Sequence, residues 1–73
     1  MSRYEVAADV TGSVWKIVTQ PGDQLGAGDT VMILESMKME IPVIADDGGT
    51  LVELLVSEGE SVSEGQAVAI LDE

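Results

Sequence analysis

The side chains that could do chemistry in this chain are few, and they gather in one place. There is no cysteine and no histidine. That removes thiol nucleophiles, Cys/His zinc sites, Ser-His-Asp triads and imidazole acid/base catalysis together. The stretch that stands out is Ser36-Met37-Lys38-Met39-Glu40-Ile41-Pro42. It holds Lys38, one of only two lysines, the other being Lys16. A lysine amine is nucleophilic only when neutral, and a free one has a pKa near roughly 10.4. The sequence therefore offers no catalytic residue and no metal constellation. It offers one amine in an unusual setting.

The elements that must position that amine belong to one small domain, residues 1–73. Acidic residues number 14 and basic ones 3, a formal charge of -11. Phosphate-backbone binding needs lysines and arginines in quantity, so a nucleic-acid partner is excluded. An anionic membrane surface would repel the chain for the same reason. The 45% of apolar residues come in short blocks separated by glycine, which indicates a folded chain. No run is long enough for a transmembrane helix, and the first residues hold no signal-peptide core. The expectation is a monomer in the cytoplasm.

A shift of 37 residues superposes the chain on itself without a gap, residues 6–35 over 43–72. Nine of the 30 pairs are identical, among them Gly12/Gly49, Gly22/Gly59, Gly28/Gly65, Val31/Val68 and Leu34/Leu71. Each half reads as short strands punctuated by Gly, Asp and Pro, with no sustained helical period. Neither half can bury its own apolar face. Two copies packed together can, which predicts an all-β flattened barrel or sandwich with an internal pseudo-twofold. The expected core is Val14, Ile17, Leu25, Val31, Ile33, Leu51, Leu54, Val62, Val68 and Ile70, with Trp15 a packed strand residue.

Residues 36–42 fall outside the repeat and join two strands, so they form a hairpin tip. Tight hairpins favour Asn-Gly or Asp-Gly because the central residues need positive φ. Here Met37, Lys38 and Met39 stand instead. A lysine in a turn is usually a solvated charge, and methionines often only fill gaps. This lysine, however, lies at the centre of the repeat and has no second copy. A site where local rules fail in a regular sequence is a functional candidate.

Glu35-Ser36-Met37-Lys38-Met39-Glu40, with the glycine-aspartate frame Gly12, Gly22-Asp23 and Gly28-Asp29 before it, resembles the biotin-attachment region of biotin carboxyl carrier domains. The likeness runs over nearly the whole chain, which resembles the minimal, stand-alone biotin/lipoyl attachment proteins and equally a domain excised from a longer acyl-CoA or pyruvate carboxylase. The gapless halves leave no place for the thumb insertion of the bacterial acetyl-CoA carboxylase carrier. The resemblance implies a barrel-sandwich hybrid of two four-stranded antiparallel sheets, with the modified lysine on an exposed hairpin and both termini at the far end. It implies covalent biotin on Lys38, attached by a biotin protein ligase, and a carrier rather than an enzyme, moving a carboxyl group between biotin carboxylase and carboxyltransferase. Met37 and Met39 would then be recognition residues beside the arm, and Glu35 a ligase contact. Nothing near Lys38 in sequence activates its amine, so the ligase must do so. A lipoyl carrier using the same lysine is the alternative, although lipoyl lysines typically follow an aspartate. A second alternative is an unmodified adaptor module of the same fold.

Overall fold

Eight strands follow one another along the chain: β1 (Arg3–Ala7), β2 (Gly12–Ile17), β3 (Gln24–Leu25), β4 (Thr30–Ser36), β5 (Met39–Ile44), β6 (Gly49–Leu54), β7 (Ser61–Val62) and β8 (Ala67–Asp72). The computed structural model describes residues 2–73. All pairings are antiparallel, and the strands form two four-stranded sheets, ordered β1-β8-β6-β3 and β5-β4-β2-β7. This is the all-β barrel-sandwich architecture expected from the repeat and the resemblance.

The 37-residue shift is a symmetry of the backbone as well. It carries β2 onto β6 and β3 onto β7, and it converts one sheet order into the other. Even the irregularities repeat: the register slips between Val14 and Lys16 in β2, and between Leu51 and Glu53 in β6. Four turns recur with the same chemistry. In Gln20–Asp23, Gly26–Asp29, Ser57–Glu60 and Ser63–Gln66 the fourth residue's N–H donates to the first residue's carbonyl. The third residue is always a glycine with φ between 86° and 99°, the geometry of a type II turn. The fourth side chain, Asp23, Asp29, Glu60 or Gln66, accepts a hydrogen bond from the first residue's N–H.

The core takes residues from both halves: Val6, Val14, Val31, Met32, Leu34, Val43, Leu51, Val56, Val62, Val68, Ala69 and Leu71 with Ala8 and Ala45. Ile17, Leu25 and Leu54 pack at its margin. Three expectations need correction. Ile33 and Ile70 are only half-buried, and Met32, Leu34, Ala69 and Leu71 fill the interior in their place. The bulge beside Met32 moves Val31 and Met32 inward together, so strict alternation from Val31 assigns Ile33 to the wrong face. Trp15 is not packed but 47% exposed, because it is the extra residue of the bulge in β2.

The two ends of the body differ. β4 runs from Thr30, just after the turn whose Asp29 and Gly28 bond to Ala45, to Ser36 at the β4–β5 hairpin. Seven extended residues cover about 20 Å, within a long axis of 36 Å. The chain ends meet at the Ala45 end, where the Glu73 N–H donates to the Ser2 carbonyl. That end is closed by Tyr4, whose phenol donates to the Gly48 carbonyl at 2.6 Å. Burial raises the Tyr4 phenol above its ordinary value of 10.0, and the carboxylates of Asp47, Glu73 and Asp46 add to the effect, while a backbone hydrogen bond at Asp47 opposes it. The neutral phenol is therefore the form the fold favours. Its contribution is complete below the unfolded value and is lost as pH rises through the higher folded one. Tyr4→Phe should cost about 1–2 kcal/mol at neutral pH, through the lost bond and the unsatisfied carbonyl. In urea denaturation across a pH series, the gap between wild type and Tyr4→Phe should shrink above pH ~10; a constant gap would show that the phenol's proton plays no part.

Candidate functional site

The β4–β5 hairpin is closed by the shortest connection that antiparallel strands use. Ser36 pairs with Met39, so only Met37 and Lys38 form the turn, and residues 39–42 belong to β5. Both turn residues have positive φ, 52° for Met37 and 65° for Lys38, the pattern of a type I′ turn. They are the only non-glycine residues with positive φ among those described. A side chain in the left-handed region costs on the order of 1–2 kcal/mol per residue. The conformation that made the tip look anomalous as sequence is therefore adopted, and its strain is carried by the surrounding strands.

Two contacts hold the stem. Ser36 Oγ donates to the Thr11 carbonyl at 3.0 Å, and Thr11 Oγ1 in turn accepts from the Glu64 N–H at 3.0 Å. Gly12 lies close beside β4 in the same sheet: a Cβ there would collide with the Glu35 carbonyl oxygen. Its repeat partner Gly49 makes the same approach to the Asp72 carbonyl at the other end, 2.7 Å from where a Cβ would lie. Gly12 is thus kept for close strand packing and does not mark a turn.

The four residues singled out in the sequence share this hairpin. Lys38 is exposed at the apex, Met37 is 89% exposed and Met39 59% exposed. Glu35 lies exposed near the end of β4, directly opposite Glu40 of β5. The supports Thr11, Gly12 and Ser36 were not foreseen. Gly12 and Ser36 stand in the frame and motif quoted from the sequence, which carry no sign of the contacts they make. The arrangement presents one primary amine on a rigid two-residue turn, between two solvated thioethers, open to an approaching enzyme. A long acyl group fits such a site, since nothing buries the amine and both flanking side chains can lie along an apolar chain. Among the described residues no group of acidic side chains could hold a metal ion.

A family model described as "biotin-requiring enzyme", for biotin/lipoyl domains, matches residues 5–71. The chain is 42% identical over 67 residues to a protein of Mycobacterium leprae described as a biotinylated protein TB7.3 homolog, covering 92% of this chain and 94% of that one. It is 36% identical over 70 residues to the dihydrolipoyllysine-residue succinyltransferase component of the 2-oxoglutarate dehydrogenase complex of Staphylococcus saprophyticus, covering 94% of this chain but 16% of that one. Among solved structures, the urea carboxylase of Kluyveromyces lactis superposes with a TM-score of 0.92 at 35% identity, over 99% of this chain and 6% of that one. The chain thus spans almost the whole length of the mycobacterial relative and a small fraction of the urea carboxylase.

Relief of the turn's strain is measurable. Replacing Met37 by Asn and Lys38 by Gly together should stabilise the fold by about 1–2 kcal/mol. Urea denaturation should show a higher midpoint with an unchanged slope. An unchanged midpoint would mean that the two left-handed residues carry no strain.

Proposed function

The chain belongs to the biotin/lipoyl attachment family, and we propose that within it the chain is a biotin carrier with Lys38 as the point of attachment. The observation that carries this reading is the exposed Met37-Lys38-Met39 apex on a two-residue turn. The similarity to carrier regions of carboxylases and to a biotinylated protein supports biotin as the group carried. The domain is a carrier module, and its residues present and orient the amine without catalysing its acylation.

The step that loads the carrier is acyl transfer. The Lys38 ammonium gives up a proton to the ligase, and the neutral Nζ attacks the acyl carbon of an AMP-activated carboxylate. A C–N amide bond forms, the C–O bond to phosphate breaks, AMP leaves with the bonding pair, and the amide nitrogen sheds its second proton. Lys38 then anchors the arm, Met37 and Met39 give it an apolar flank, and Glu35 meets the ligase. The attached biotin supplies carriage of a carboxyl group between biotin carboxylase and carboxyltransferase. Acylation removes one positive charge, taking the formal charge from -11 to -12. Such a chain repels its own copies, so it works as a monomer, in the cytoplasm with these enzymes.

Lipoyl carriage is the second reading, favoured by the similarity to the succinyltransferase component. The two differ in the mass added. Co-expression with a biotin protein ligase should add one biotin per chain by intact mass. Lys38→Arg should add none while keeping the wild-type unfolding free energy within about 0.5 kcal/mol. Met37→Asp with Met39→Ala should slow biotin incorporation. Biotin on the Lys38→Arg protein would refute the assignment, and a lipoyl mass on protein from its native cell would favour the second reading.

A further inference from the structure

The internal symmetry supplies a control that most domains lack: each outer sheet face can be compared with its own repeat partner. On the β5-β4-β2-β7 sheet, Val14, Leu34 and Val43 point into the core. Ile33 therefore points outward, and it pairs with Pro42 on one side and Lys16 on the other. Trp15, the bulged residue next to Lys16, is 47% exposed. Trp15, Ile33 and Pro42 thus line an apolar stripe on the outside of this sheet, with the exposed Lys16 set into it beside Ile33. The equivalent positions on the other sheet are Val52, Ile70 and Glu5. There the large aromatic is a valine and the proline is a charged residue. Beyond the stripe lies the Glu35–Glu40 pair, whose equivalent is Asp72 opposite Arg3. Opposite charges at this pairing stabilise a sheet and like charges do not. The fold accepts the favourable pair at one end and carries the unfavourable one at the hairpin.

We propose that this face, centred on Trp15, Ile33 and Pro42, is where the enzyme that acylates Lys38 docks, through an apolar patch flanked by basic side chains. The inference rests on the carrier reading and extends it from the apex to a surface. Area requires such an extension. A standard specific interface buries roughly 800 Å² per partner, more than the three side chains of a two-residue apex present. An enzyme that holds the apex must also rest on a flank. The flank continuous with the apex is this sheet, since β4 and β5 are both its strands. The acylating enzyme is the partner that must come this close, because its reacting atom is Nζ itself, whereas users of the finished arm act at the arm's far end. The charge of -11 and the Glu35–Glu40 pair beside the stripe call for basic groups around the partner's apolar centre, and they oppose a second copy of this chain.

Trp15 is the only tryptophan, so its indole N–H gives a single NMR signal. Adding a purified biotin protein ligase without ATP to ¹⁵N-labelled protein should shift or broaden that signal. Two replacements bring in the residues that the fold already holds at the equivalent positions, Trp15→Val and Pro42→Glu. Together they should raise the KM for biotin incorporation about tenfold or more with kcat within about twofold, an effect of hot-spot size. Val52→Ala on the opposite face should leave KM unchanged. An unmoved indole signal, or equal KM values for wild type and the double variant, would overturn the docking face while leaving the carrier reading intact. No label on the wild type would overturn both. An indole shift that depends on the concentration of this protein alone would assign the face to a second copy and overturn the inference.

Discussion

Neither half of this chain can close a core, and that constraint governs everything else. Each half sends two strands into each sheet, so β1 and β3 of the first half lie in a sheet with β6 and β8 of the second. The buried residues of both halves interleave in one cluster. With only 73 residues and no disulfide, burial has to be efficient. Interleaving achieves it, because no strand pair has to be stable alone. The shared core also makes the body stiff, which lets a two-residue turn hold a left-handed methionine and a left-handed lysine. A looser frame would relax the turn and lose the geometry at the apex.

On a symmetric frame, departures from symmetry are the informative places. The carbonyls of Thr11 and Gly48 are equivalent by the repeat and both are capped by a hydroxyl, yet the donors differ: Ser36 at the hairpin and Tyr4 at the chain ends. Tyr4 closes its end with a large ring. Ser36 closes the other with a small group, and the apex beyond it stays open to solvent. The Arg3–Asp72 and Glu35–Glu40 pairs differ in the same sense. One end is arranged for stability. The other keeps strain, like charge and exposed thioethers together, features that folding alone would not retain.

Much of this was legible in the sequence because it rests on periodicity and turn chemistry. The 37-residue match fixed the strand count of each half, and the glycines marked the four type II turns, whose positive φ only glycine adopts at little cost. The tip was legible as an anomaly, since Met37 and Lys38 are the wrong residues for a turn. What could not be read was anything set by a bulge. One extra residue in β2 turns Trp15 out of the core, and another in β4 exchanges Ile33 for Met32 and Leu34. Bulges depend on how two strands meet, and an alternating pattern along one strand does not encode that meeting. The same applies to Gly12, whose reason lies in the carbonyl of a strand distant in sequence.

The chain has two exposed lysines and, on the proposed reading, one is chosen. Chemistry alone gives little basis for the choice, since both are primary amines on an acidic protein. Their backbones differ. Lys16 extends from a paired strand on the outer sheet face beside Ile33, where no projecting turn offers its amine to an active-site cleft. Lys38 stands on a turn with free space on most sides, and its neighbours in the chain are methionines, which adapt to the surface that meets them. Selection by shape places the burden on the hairpin's rigidity. The hydroxyl of Ser36 and the missing side chain of Gly12 therefore matter to Lys38 without touching it: they fix the stem from which a single amine is offered.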